Sequence, residues 1–183
     1  MATKNVISFP SGGNKSHRRD RTLLIPEMNR TGANLLAATF RSFGVRARVM
    51  DTYKGLDLGK EYTSGKECYP CQVTMGDILH CIEKEREDLG DSFNPTDYIY
   101  FMPEAEGPCR FGMYNKYQRI VLDSFPGLKE LQILSPTNSD AYSLGDLLAE
   151  HQEQDFRKAA YFSMVVTDIL DRLLWRIRPY ERE

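Results

Sequence analysis

The chain has 183 residues, of which 41% are hydrophobic, and this suits one domain with a core of its own. Its net charge of −2 gives no general attraction to nucleic acid or to an anionic membrane. Its four cysteines are too few for a disulfide scaffold at this length, so we expect reduced thiols and a cytoplasmic protein.

The N-terminal segment is rich in serine, glycine and basic residues and has no apolar stretch, so it is not a secretory signal. The basic cluster at residues 15–21 is typical of a nucleic-acid patch or of a solvated arm. We expect a mobile arm over residues 1–21 and no nucleic-acid partner. The longest apolar stretch, residues 161–175, contains Asp168 and Asp171, so we expect no membrane partner either.

Beyond the arm, apolar residues switch repeatedly between strand spacing and helix spacing. Proline or glycine closes several of these runs, as expected at the ends of strands and helices. The predicted elements, in chain order, are a strand at residues 22–26, a helix at 32–43, a strand at 45–49, a long loop at 50–67, a helix at 71–89, a strand at 98–102, a helix at 112–125, a strand at 131–134 and helix in the remaining residues.

The order β-α-β-loop-α-β-loop-α-β-α predicts an α/β fold. We expect an open, mostly parallel, Rossmann-like sheet of about four strands covered by helices, with a C-terminal helix. The Rossmann-like domain is predicted to span residues 22–140. Residues 141–183 are predicted to form a helical segment that packs on it, because apolar residues from Phe156 to Ile177 recur at steps of three and four.

Three of the four cysteines are predicted to lie at one edge of this sheet. Cys68 and Cys71 form a CxxC motif where a helix begins, and Cys109 follows the strand at residues 98–102. The carboxyl ends of parallel strands and the N-termini of the helices that follow them share one edge, where ligands usually bind. Cys81 lies roughly 15 Å further along the same helix, at about 1.5 Å per residue. We therefore expect Cys81 to be a small buried hydrophobe.

These cysteines leave several interpretations open. Helix N-termini favour the thiolate, which both metal ligation and disulfide exchange need. A three-cysteine iron–sulfur site with one open iron position fits the count. A thioredoxin-like exchange motif leaves Cys109 without a role, and zinc usually needs a fourth ligand that the scattered histidines do not offer. The remaining alternative is that they are ordinary reduced cysteines near turns.

Three further residues are candidates for contact with an anionic substrate or cofactor. Asn29, Arg30 and Arg110 lie where helices are predicted to begin at the same edge of the sheet. Surface or capping roles are the alternative for all three. The sequence contains no GxxxxGK[ST] phosphate-binding loop and no Ser-His-Asp constellation, so no catalytic residue is assigned.

Two longer motifs resemble the activator-related proteins of the 2-hydroxyacyl-CoA dehydratase system. One is GKECYPCQVTMGDIL at residues 65–79, and the other is YFMPEAEGPCRFGMYN at residues 100–115. The likeness covers roughly residues 20–135 and includes Leu24-Ile25-Pro26-Glu27-Met28. The C-terminal helical part adds little to it.

The resemblance implies a [4Fe-4S] cluster held by Cys68 and Cys109, with Cys71 at a position that is often not cysteine in the family. It implies low-potential electron transfer from an ATP-driven activator to an enzyme that acts on an acyl-CoA. This chain would be a cluster-subunit-like piece of a longer chain, not the ATPase. The implied partners are other domains of that chain, a redox partner and an acyl-CoA enzyme. The alternative is an interaction or scaffold domain without a cluster.

Overall fold

The computed structural model describes residues 20–182, so the arm predicted over residues 1–21 lies almost entirely outside the described residues. Strands and helices alternate through most of the range, with short 3-10 turns between them. The principal elements are β1 (Thr22–Ile25), α1 (Arg30–Ser42), β2 (Ala47–Val49), α2 (Leu56–Glu61), α3 (Tyr69–Leu89), β3 (Tyr98–Phe101), α4 (Tyr114–Asp123), β4 (Gln132–Leu134) and α5 (Glu153–Ile177).

The four strands form one parallel sheet in the order β2-β1-β3-β4. In the register of this sheet, Leu24 pairs with Arg48 on one side and with Tyr100 on the other. The predicted open α/β fold is therefore confirmed. The chain leaves β1 toward β2 and then crosses back to β3. The loops after β1 and β3 consequently flank the switch point at the carboxyl edge, where folds of this class bind ligands.

Helices cover both faces of the sheet, because the strand residues that alternate between the faces are almost all apolar. Leu24, Tyr100 and Met102 face α3 and α4, and together they form one fully buried cluster. Leu23 and Ile99 face α1 and α5 in a second cluster. The cysteine motifs belong to the first face, since α3 and α4 carry or adjoin them.

The predicted long loop at residues 50–67 was wrong in one respect, because it contains the short helix α2. This helix packs against α3 through glycines that bring the two backbones into contact. A Cβ atom on Gly76 would lie 2.0 Å from the carbonyl oxygen of Gly55, and one on Gly59 would lie 2.0 Å from that of Gln72. Six residues are too few to show a helical repeat, so close backbone contact rather than periodicity marks this element.

The helix predicted for all residues after β4 begins only at Glu153. Residues 135–152 form turns and two short 3-10 helices, Gly145–Leu147 and Glu150–Gln152. The Asp140 carboxylate accepts the backbone N–H groups of Thr137 and Ser143, and such local bonds favour turns over helix. The prediction had extended the helical pattern too far toward β4.

The last helix, α5, packs on α1 over only part of its length. Thr39 Oγ1 lies 2.8 Å from Ser163 Oγ, and Asn29 Nδ2 donates to Asp171 Oδ2 at 2.9 Å. The two helices are thus antiparallel, and α5 continues beyond the start of α1. Phe156 and Ala160 are buried. The later residues of the predicted stripe are not buried. Leu170, Leu173, Leu174 and Ile177 are 44–51% exposed.

Within residues 20–182, no helix is both long enough and apolar enough to cross a membrane.

Candidate functional site

The CxxC motif forms the start of α3. Cys68 is the N-cap residue, in extended conformation, and Pro70 lies in the first turn, where a missing backbone N–H does no harm. The N–H of Cys71 donates to the carbonyl oxygen of Cys68 at 2.8 Å. Cys68 is half-buried, whereas Cys71 is only 2% exposed and belongs to the core. The helix therefore begins at the motif, as its sequence predicts.

Cys109 lies in the loop between β3 and α4 and is exposed. It precedes a 3-10 turn, Arg110–Met113, that leads directly into α4. The Arg110 Nη1 atom donates to the carbonyl oxygen of Lys66 at 2.7 Å. This contact joins the Cys109 loop to the loop that precedes Cys68. Arg110, predicted to bind an anionic ligand, thus ties the two cysteine loops together.

Tyr114, the first residue of α4, lies among the three cysteines. Burial raises the pKa of its hydroxyl, and so do a hydrogen bond with Cys68 and the charges of Cys68, Cys71 and Cys109. The ring of Phe111 packs edge-on against it, with ring centroids 5.1 Å apart. The charges of all three predicted cysteines therefore act on one buried phenol. The sequence pattern did not identify Tyr114, because one tyrosine at the start of a helix gives no signal until its neighbours in the fold are known.

Burial makes two of the thiols, those of Cys71 and Cys81, harder to ionise. Burial raises the pKa of Cys71 to about 11, with smaller contributions from the charges of Glu67 and Cys68. Cys71 is therefore protonated at neutral pH unless a ligand replaces its proton. Burial also raises the pKa of Cys81, whose Sγ lies 3.5 Å from Arg48 Nη2. Cys81 is buried in the core, as predicted.

The donor chemistry of this site fits a soft metal or an iron–sulfur cluster, since thiolates are the ligands that both prefer. Its arrangement does not yet fit one. Among residues 20–182, no three His, Cys, Asp or Glu side chains stand close enough together to hold a metal ion. All three cysteines contribute to the raised pKa of Tyr114. Among the described residues, the three cysteine side chains are not close enough together to bind one metal ion.

The other two predicted contact residues lie at the start of α1. Asn29 is the N-cap of this helix, and its side chain accepts the N–H of Gly32 at 2.7 Å. Its amide also donates to Asp171, so both ends of the side chain have partners. Arg30 is exposed in the first turn. Neither residue adjoins the cysteines, because α1 covers the opposite face of the sheet.

Asp77 is a buried carboxyl at the same edge that sequence reasoning did not single out. It accepts the Thr52 hydroxyl at 2.9 Å and the Tyr53 N–H at 3.0 Å. Tyr53 has a positive φ of 65°, so these bonds hold a strained turn after β2 against α3. Burial raises the pKa of Asp77 to about 6, against the lowering effect of both hydrogen bonds.

We expect the raised pKa of Asp77 to make the protein less stable as the pH rises from about 4 to about 7. In this window the folded state binds the proton more tightly than the unfolded state, whose pKa is near 3.8. The expected decrease in unfolding free energy is about 2–3 kcal/mol, at about 1.4 kcal/mol per pKa unit. Urea unfolding at pH 4.5 and pH 7.5 measures it. Asp77→Asn should flatten this dependence, whereas Asp57→Asn, at a fully exposed carboxyl, should leave it unchanged. Equal pH dependence in wild type and Asp77→Asn would contradict this account.

A cavity of about 560 Å³ opens at the same edge of the sheet, on the α1 side. Such a volume lies within the range of small-molecule sites. Its walls are almost entirely apolar and come from the residues after β1, β3 and β4 and from α1 and α5. They include Pro26, Ala33, Pro103, Pro136, Phe156 and Ala160. The loop that contributes Pro103 continues to Cys109, so the cavity and the cysteines lie on either side of one loop.

Comparison of this chain with family models, curated proteins and solved structures finds no match. Its function therefore has to be inferred from its own residues and their arrangement. The cysteines around Tyr114 and the apolar cavity are the two features at the carboxyl edge on which that inference rests.

Proposed function

We propose that this chain binds a [4Fe-4S] cluster through its cysteines and takes part in low-potential electron transfer, within a system that activates a 2-hydroxyacyl-CoA dehydratase. The observation that carries the proposal is the contact between Arg110, beside Cys109, and the carbonyl oxygen of Lys66, which joins the Cys109 loop to the segment that leads into Cys68 and Cys71. Two separate loops supply these thiols, and Arg110 ties the loops together. The resemblance of both cysteine motifs to the activator-related proteins supports the same assignment.

Each residue of the site has a definite task in this proposal. Cys68 and Cys109 supply the principal thiolates, and Cys71 supplies a third after losing its proton to solvent, since metal binding releases protons from thiols. The Tyr114 hydroxyl would donate to the sulfur of Cys68, and hydrogen bonds of this kind tune the reduction potential of such centres. The cluster, when bound, would supply one-electron transfer. Binding requires the two loops to close further on each other, and a fourth ligand would come from another domain or partner.

The apolar cavity supports the acyl-CoA part of the proposal. An acyl chain is the kind of group that a carbon-lined cavity of this size takes, because burial of apolar surface stabilises its complex. The cavity adjoins the loop that leads to Cys109. Asn29 lines the cavity at the N-terminus of α1, where the Asp171 carboxylate already accepts from its amide. The proposed partners are other domains of a longer chain, a redox partner and an acyl-CoA enzyme.

A second candidate is thiol–disulfide exchange by Cys68 and Cys71. The specific observation is that the first cysteine is half-exposed, while the second is buried with a pKa of about 11. An accessible attacking thiol beside a sheltered resolving thiol suits disulfide chemistry. This candidate requires no part for Cys109. Reduction of insulin disulfides, lost in Cys68→Ala and retained in Cys109→Ala, would favour it over the cluster.

Anaerobic reconstitution with iron and sulfide tests the proposal. We expect the wild-type protein to gain a charge-transfer band near about 400 nm and to keep its iron through gel filtration. Cys68→Ala and Cys109→Ala should each lose most of the band. Cys81→Ala is the matched control, because Cys81 lies in the core away from Tyr114, and it should keep the band. No band in the wild type, or an equal band in all variants, would overturn the proposal and leave an interaction domain without a cluster.

A further inference from the structure

The second half of α5 exposes far more apolar surface than a solvated helix does. Eleven of its large apolar side chains, from Tyr161 to Ile177, are 39–69% exposed. A patch beyond a few hundred Å² on a soluble protein marks a binding surface. Much of this exposed apolar surface lies on one side of the helix. We define the α5 face as Phe162, Val166, Ile169, Leu170, Leu173 and Ile177.

We propose that the α5 face binds the same face of a second copy of this chain, with the two helices antiparallel. Ala159, Phe162, Val166, Ile169 and Leu173 follow one another at alternating steps of three and four residues. This spacing is the seam of a two-helix coiled coil. The proposal does not involve the cysteines and stands independently of the proposed function.

Much of the seam places apolar residues opposite apolar residues across a two-fold axis, as such an interface requires. An antiparallel pair centred on Val166 places Phe162 of one copy opposite Leu170 of the other, and Ala159 opposite Leu173. In the same register Val166 meets its own copy, whereas Ile169 lies opposite Ser163 and Ile177 opposite Asp155, so the apolar contact is concentrated between Ala159 and Leu173.

Charge along α5 favours the antiparallel direction. The first turn is acidic, with Glu153 and Asp155, and the last turn is basic, with Arg176. Arg178 follows directly, and in the antiparallel pair it lies opposite Gln154, between the two acids of the other copy. A parallel pair would bring like charges together. The opposed helix dipoles add to the same preference.

The area is adequate for a stable dimer. The six large side chains of the α5 face are 44–64% exposed, so together they offer on the order of 500 Å². The neighbouring Val165 and Leu174 and the aliphatic part of Arg176 bring each copy close to the roughly 800 Å² of a standard interface.

Sedimentation velocity of the full chain tests the proposal. We expect a dimer at micromolar concentration, with at least ten-fold weaker association in Ile169→Lys and in Leu173→Lys. Ile120→Lys is the matched control, because Ile120 is 69% exposed on α4, at the opposite face of the sheet, and it should remain dimeric. Circular dichroism checks that each variant keeps its helix content.

A charge exchange tests the direction of the helices. Arg178→Glu should weaken the dimer, and combining it with Asp155→Arg should restore much of the loss.

A chain without residues 1–19 should still dimerise; a monomer would show that the N-terminal segment mediates association. A monomeric wild type at 100 µM, or Ile169→Lys dimerising as strongly as wild type, would overturn the proposal. Binding of wild type to lipid vesicles with no dimer would assign the face to a membrane surface instead.

Discussion

Gly76→Ala is expected to destabilise the protein by about 3 kcal/mol or more, although alanine normally stabilises a helix interior by up to about 1 kcal/mol relative to glycine. The reversal follows from the contact between α2 and α3. A Cβ atom at Gly76 would lie 2.0 Å from the backbone oxygen of Gly55, far inside van der Waals distance. Since that oxygen belongs to the backbone, α2 itself would have to move. Urea unfolding of the wild type and the variant measures the loss.

Gly44→Ala is a suitable control for this prediction. Gly44 has a φ of +84° but no heavy atom within 4 Å of an added Cβ. Its substitution should cost only about 1–2 kcal/mol, through backbone strain alone. Gly76→Ala more stable than wild type, or no less stable than Gly44→Ala, would show that the two backbones do not touch. Because α3 carries the CxxC motif, loosening of α2 should also disturb Cys68 and Cys71.

Leu79→Ala is expected to cost about 2–5 kcal/mol of unfolding free energy, the range for removing a fully buried leucine side chain. Leu79 is 0% exposed in the cluster between α3 and the sheet, and truncation leaves a cavity there. Leu89→Ala on the same helix is the matched control, since Leu89 is 45% exposed. Its expected loss is below about 1 kcal/mol. Thermal and urea unfolding of both variants measure the difference, and equal losses would mean that α3 does not pack as described.

Much of the fold could be predicted from the sequence because its strands are short apolar runs closed by proline or glycine. The four strands and the helices α1, α3 and α4 follow directly from such patterns. The helix α2 could not be predicted, because glycine contacts with Gly76 rather than a repeat hold it in place. The exposure of Leu173 could not be predicted either. A periodic stripe of apolar residues does not show whether a neighbouring helix extends far enough to cover it.

The candidate site was predictable in part for a similar reason. Parallel topology requires residues after β3 and at the start of α3 to share one edge, and the Arg110 contact joins the two cysteine segments there. The spacing of the sulfurs was not predictable, because it depends on the Arg110 contact and on the packing of Tyr114. Asp77 escaped notice because an isolated carboxyl in a helix gives no signal until burial is known.

The electron paramagnetic resonance spectrum of the reconstituted, dithionite-reduced protein tests the central claim most directly. The claim is that Cys68 and Cys109 act together as ligands of one cluster. It predicts a signal from a reduced [4Fe-4S] cluster in the wild type and in Cys81→Ala, and its loss in Cys68→Ala and in Cys109→Ala. A wild type without this signal, or the same signal intensity in Cys68→Ala or Cys109→Ala as in the wild type, would contradict it.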